Sequence, residues 1–166
     1  GIVPTIDAKI ADTFALVSAV HARSCILVDG DNDGRGYFAA VKGSNPPPRC
    51  VVFWPQGWAM EHVVSWIAGA DEAAMLAALG TALGAPFADR GALTAHLLTQ
   101  KSYAPTHESA VVTLMVNAAC RVRAAQLLDA LCDVLRDPAN ANTPLFARIP
   151  ADSTAAMHVF QFVPPP

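Results

Sequence analysis

Apolar residues recur at helical spacing near the start of the chain. Ile10, Phe14, Val17 and Val20 fall on one face within residues 7–22, with few charges beyond Lys9 and Asp12. This spacing predicts a helix with Asp7 as its N-cap. The pattern then changes. Residues 24–28 form a short continuous apolar run that ends at Asp29, which predicts a strand inside a covered sheet. Residues 34–42 suit a second helix, Asn45-Pro46-Pro47-Pro48 breaks it, and residues 50–54 form a second buried strand. A helix between two such strands predicts a parallel pair, because parallel neighbours need a crossover connection.

Beyond Pro55 the periodicity is helical. Residues 60–68, 71–83, 90–100, 108–119 and 121–136 all carry spaced apolar positions without strand alternation. A polar loop over residues 137–144 precedes a tail in which residues 158–163 suit a strand, stopped by Pro164-Pro165-Pro166. The expected organisation is an α/β core over residues 1–68, a helical subdomain over 69–136, and a tail over 137–166 that can return a strand to the sheet. The chain carries no internal repeat.

Composition narrows the function classes. Hydrophobic residues make up 53% and charged residues 15% of the chain, which argues against disorder. No apolar run approaches the roughly 20 residues of a membrane span, so the expectation is a soluble, cytoplasmic protein without a membrane partner. Cys25, Cys50, Cys120 and Cys132 form no Cys-x-x-Cys pair and sit in apolar stretches, as reduced core residues do. With a net charge of −3, and no basic cluster beyond Arg121 and Arg123, a phosphate-tracking basic arm is excluded. Any nucleic-acid contact is then local or metal-assisted. The chain opens at Gly1 without a methionine or a signal-peptide pattern, and reads as a piece of something longer.

The richest chemistry lies in Asp29-Gly30-Asp31-Asn32-Asp33-Gly34. A strand that ends in Asp-x-Asp brings two carboxylates to its carboxyl end, where open α/β sheets place ligands and where hard cations such as Mg²⁺ find oxygen donors. Three carboxylates so close repel one another unless a cation or nearby donors compensate. A solvated turn rich in Asp and Asn is the competing reading. The opening of an EF-hand calcium loop also matches, but its twelfth position is Ala40 instead of a bidentate Glu, and a strand precedes it instead of a helix. A haloacid-dehalogenase-like phosphatase would also place Asp-x-Asp after a strand, but expects Thr or Val where this chain has Asp33.

Taken together, residues 25–37 (CILVDGDNDGRGY) and 51–61 (VVFWPQGWAME) resemble the later half of a TOPRIM domain, most closely that of the overcoming-lysogenization-defect (OLD) family of ATP-dependent endonucleases. The resemblance covers roughly residues 2–136 and is specific over 29–61. It implies a partial TOPRIM-like parallel sheet with an α-helical insert, from a larger bacterial ATPase-linked protein that cleaves DNA. Asp29 and Asp31 fill the strand-borne acidic positions, and Glu61 fills the acidic position after the Pro-containing loop. A lysine of the helical insert matches Lys101, in Thr99-Gln-Lys-Ser-Tyr103.

The resemblance further implies two Mg²⁺ or Mn²⁺ ions flanking the scissile phosphate, with Asp29, Asp31 and Glu61 as ligands and Lys101 and Glu61 in catalysis. Asp33 is a secondary candidate for the metal, and Arg35 for a phosphate. The chain departs from the family in having no Glu before Glu61 and no phosphate-binding loop. Both are expected upstream, with the ATPase domain of the same polypeptide as a partner alongside DNA, and a homo-oligomer is allowed. The alternative is a non-catalytic α/β domain that binds a metal or a partner. Trp54, Trp58 and Trp66 read as core, and His107-Glu108 is the one suggestive histidine pair.

Overall fold

The two apolar runs lie side by side. In the computed structural model, which describes Val3 and residues 9–100 and 104–165, β1 (Cys25–Val28) pairs in parallel with β2 (Cys50–Phe53). The crossover helix between them is α2 (Asn32–Val41). On the far side of β2, β4 (His158–Phe162) pairs in parallel, and β3 (Phe146–Arg148) pairs antiparallel with β4, so the strand order is β1-β2-β4-β3. The fold is α/β, with a mixed and mostly parallel sheet. The expected tail strand is thus an interior member of the sheet. Its partner β3 went unpredicted because three residues are too short for a periodic signal.

The pleat sorts the strand residues between two faces. Val28, Val51, Phe53 and Val159 form one core with Phe38 and Met157, against which Ile10, Ile26, Tyr37 and Ile149 also pack. Phe38 meets Phe53 edge-to-face, with ring centroids 5.4 Å apart. On the other face Val52 and Phe160 are also buried, so β2 and β4 are covered on both sides. Their continuous apolar sequence requires that. The edge strand β1 departs from this pattern, with Leu27 39% exposed. At the carboxyl end, Phe162 gathers Trp54, Trp58 and Phe146 at centroid distances of 5.7, 6.2 and 5.5 Å.

Helix α1 (Ile10–Val20) buries Phe14, while Leu16 and Val20 face solvent. Lys9 occupies its N-cap position without a capping side chain; Asp7, expected there, lies outside the described residues.

The chain divides into a sheet unit, residues 1–58 and 130–166, and a helical unit, residues 59–129. The helical unit comprises α3 (Met60–Ala68), α4 (Glu72–Leu83), α5 (Arg90–Thr99), α6 (Ala104–Val116) and most of α7 (Ala118–Arg136). The division precedes α3, where the sequence suggested residue 68, because Val64 and Ala68 pack with Leu79, Leu93, Leu97 and Leu114 in the helical core. The last turns of α7, from Ala130, belong to the sheet unit.

The continuous stretch Met60–Leu83 is long and apolar enough to cross a membrane, and 44% of its apolar window is buried within the protein. Of the cysteines, Cys50 and Cys120 are buried, Cys25 is half-buried, and Cys132 is exposed on α7. The expectation of four core thiols therefore fails at Cys132, where a helix turns an otherwise apolar run outward.

Phe53 is fully buried on a central strand and holds the Phe38 contact. Phe53→Ala is expected to lower the unfolding free energy of the sheet unit by about 3–5 kcal/mol, read from urea denaturation.

Candidate metal site at the carboxyl edge of the sheet

Strand β1 ends at Val28 and delivers Asp29 to the carboxyl edge of the parallel strands. The loop that follows is joined to the loop after β2 by its backbone. Gly30 N–H donates to the Trp58 carbonyl at 2.8 Å, and Gly57 N–H donates to the Gly30 carbonyl at 3.0 Å. Glycine is required for this approach: a Cβ on residue 30 would lie 1.8 Å from the Pro55 carbonyl oxygen. At Gly34 a Cβ would lie 2.0 Å from the Asp29 carbonyl oxygen, so the first turn of α2 also packs directly on the strand end.

Asp31 is the N-cap of α2. Its backbone is extended, with φ −87° and ψ −174°, and its Oδ1 accepts a hydrogen bond from Gly34 N–H at 2.9 Å. This satisfies one of the orphan donors of the helix and sets a carboxylate at the positive end of the helix dipole. Asp33 is exposed in the first turn of α2, where its charge also complements the dipole. Asp29 and Asp31 are both half-buried. The mutual repulsion expected of this acidic loop is thus offset in part by backbone donors and the helix terminus.

The donor chemistry suits a hard cation. An ionised carboxylate offers about four lone-pair sites, so the hydrogen bond to Gly34 leaves Asp31 with acceptor capacity, chiefly on Oδ2. Mg²⁺ is commonly held by one or two carboxylates, its other positions taken by water and phosphate oxygens. Among the described residues, no three His, Cys, Asp or Glu side chains are gathered as a metal-holding group. Asp29 and Asp31 are thus the carboxylates that the sheet unit presents at this edge, without an all-protein cage around them.

The other candidate residues have partners of their own. Glu61 belongs to the helical unit, in the first turn of α3; it is only 6% exposed, and its Oε1 lies 3.4 Å from His107 Nε2 of α6. His107 thus meets Glu61, while its sequence neighbour Glu108 is exposed. His62 Nδ1 accepts from Ala59 N–H at 3.1 Å and closes the start of α3. Arg35 lies 4.2 Å above the Phe53 ring, with its guanidinium 3.7 Å from Asp152. The pair is partly exposed, so it holds Arg35 only weakly. Lys101 lies outside the described residues.

Sequence reasoning missed the part played by Gly57 and Trp58, which bind the acidic loop through backbone atoms alone; the Pro55-Gln56-Gly57 turn signal was the available clue. It also missed Asp152, which lies far along the chain from Arg35. No protein-family model, curated protein or solved structure matches the chain.

The two roles of Asp31 are separable. Asp31→Ala removes the cap and is expected to cost about 0.5–2 kcal/mol in denaturant unfolding, whereas Asp31→Asn keeps a capping oxygen and stays close to wild type. Equal losses in both variants would show that the charge, and not the cap, supports the loop.

Proposed function

We propose that the chain is the metal-binding α/β part of a TOPRIM-like DNA endonuclease of the OLD class, acting on phosphodiester bonds with Mg²⁺ or Mn²⁺. The observation that carries this reading is Asp29 at the carboxyl end of β1 with Asp31 two residues on, on a loop braced by the turn after β2. Asp29 and Asp31 would hold the cation, which when bound supplies Lewis-acid stabilisation of phosphate oxygens and an activated water. The chain's own contribution is placement. The strand end and the α2 cap limit the freedom of the loop, and the glycine contacts keep its backbone against Pro55.

A two-ion mechanism needs further acidic ligands. In this reading an upstream Glu and Glu61 would complete that set, and Lys101 would act in catalysis. Asp33 would act as an outer acceptor and Arg35 as a phosphate contact. DNA and an upstream ATPase domain are the corresponding partners. A second reading, a non-catalytic α/β binding module, is favoured by the engagement of Asp31 as a helix cap.

Isothermal titration with Mn²⁺ and cleavage of supercoiled plasmid test the proposal. Wild type is expected to bind Mn²⁺, and the full-length protein to nick or cut the plasmid. The double variant Asp29→Asn with Asp31→Asn should lose both while retaining its far-UV circular dichroism. Undiminished Mn²⁺ binding by the double variant would remove the site. Metal binding without cleavage by any form would leave the non-catalytic module. Glu61→Gln, assayed separately, should reduce cleavage while leaving Mn²⁺ binding at Asp29 and Asp31 in place.

A further inference from the structure

At the opposite end of the same two strands, Cys25 and Cys50 open β1 and β2 and are direct register partners. Register partners in a parallel pair project to the same face, and neighbouring strands run about 4.8 Å apart. That spacing falls within the roughly 4.4–6.8 Å between Cα atoms that a disulfide bridges. Both cysteines are free thiols, and the Cys25 thiol donates to the Arg23 carbonyl at 3.7 Å.

The two thiols differ in a way that assigns them roles. Cys50 is completely buried on a strand flanked by β1 and β4, whereas Cys25 lies half-buried on the edge strand. The neighbouring Cys50 thiol holds the Cys25 pKa below the ordinary thiol value; burial opposes this, and the Arg49 guanidinium adds to it. The Cys25 sulfur beside it, together with burial, pushes the Cys50 thiol up. Cys25 is therefore the more readily ionised and more accessible sulfur, with a protonated thiol in reserve behind it.

His158, the register partner of Cys50 on β4, extends the row. Its Nδ1 lies 3.2 Å from the Arg148 guanidinium, which can only donate, and no three metal-ligating side chains are gathered among the described residues. The row is thus not a Cys-Cys-His metal centre, and the reactive unit is the dithiol.

We infer that Cys25 and Cys50 form a reversible dithiol–disulfide site, at which the Cys25 thiolate takes up a small-molecule disulfide and Cys50 resolves the adduct. The Cys25 sulfur attacks one sulfur of the small disulfide, forming a mixed disulfide and releasing one thiolate. The Cys50 thiol gives its proton to that thiolate and attacks the Cys25 sulfur, expelling the second thiolate, which takes a proton from water. One disulfide is reduced to two small thiols as the two protein thiols are oxidised to one cystine. The cystine would tie β1 to β2 at their amino ends, away from Asp29.

The test is to incubate the full chain with oxidised glutathione, quench with acid, alkylate the remaining thiols, and map the tryptic peptides by mass spectrometry. Wild type is expected to yield a cross-linked pair containing Cys25 and Cys50, while the exposed Cys132 collects only mixed disulfide. Cys50→Ala should stop at a glutathione adduct on Cys25, and Cys25→Ala should leave Cys50 unmodified. Before oxidation, Cys25 should react with iodoacetamide at least about tenfold faster than buried Cys120. A stable glutathione adduct on wild-type Cys25 without a cross-link would overturn the inference. So would Cys25 reactivity no greater than that of Cys120, a comparison that uses only the wild-type chain and stands even if a variant fails to fold.

Discussion

The carboxyl edge of the sheet depends on one steric constraint: the backbone at Gly30 runs so close to the Pro55 carbonyl that no side chain fits between them. Because of that approach, Gly30 exchanges hydrogen bonds with Trp58 and Gly57, and the turn after β2 becomes the wall of the loop after β1. Asp29 and Asp31 inherit their positions from this wall. A second close approach, Gly34 on the Asp29 carbonyl, brings the start of α2 onto the strand end, so that the Asp31 side chain reaches its capping partner.

The β1–β2 pairing carries different chemistry at its two ends. At the carboxyl end are oxygen donors on an Asx-rich turn, suited to a hard cation. At the amino end are two thiols in register, one buried and one at the edge, suited to sulfur exchange. Between them Val51, Val52 and Phe53 of β2 are fully buried, so on that strand the ends are separated by apolar side chains. The same pairing positions both.

In the helical unit, Glu61 shows how tertiary packing buries an acid at a helix start. An acid in the first turn of a helix ordinarily faces water and the helix dipole. Here α6 brings His107 to it, and the carboxylate is enclosed at ion-pair distance from an imidazole. A buried acid held in this way is costly unless paired, which accounts for the histidine at that position of α6.

Much of the architecture was legible in the chain. Continuous apolar runs before Asp29 and up to Trp54, with a helix between them, determined a parallel pair, though only β2 of the two is covered on both faces, and the periodicity beyond Pro55 determined a helical unit. The Asp-x-Asp spacing kept Asp29 and Asp31 together on the loop after β1, but that Asp31 caps α2 was not read from it. Tertiary structure decided what depends on residues distant in sequence. It placed β4 inside the sheet, paired His107 with Glu61 and Arg35 with Asp152, and set Cys25 beside Cys50. Hydrophobic periodicity reports which face a residue turns inward; it carries no information on strand register or on which distant side chain will meet it, since those follow only when the elements pack.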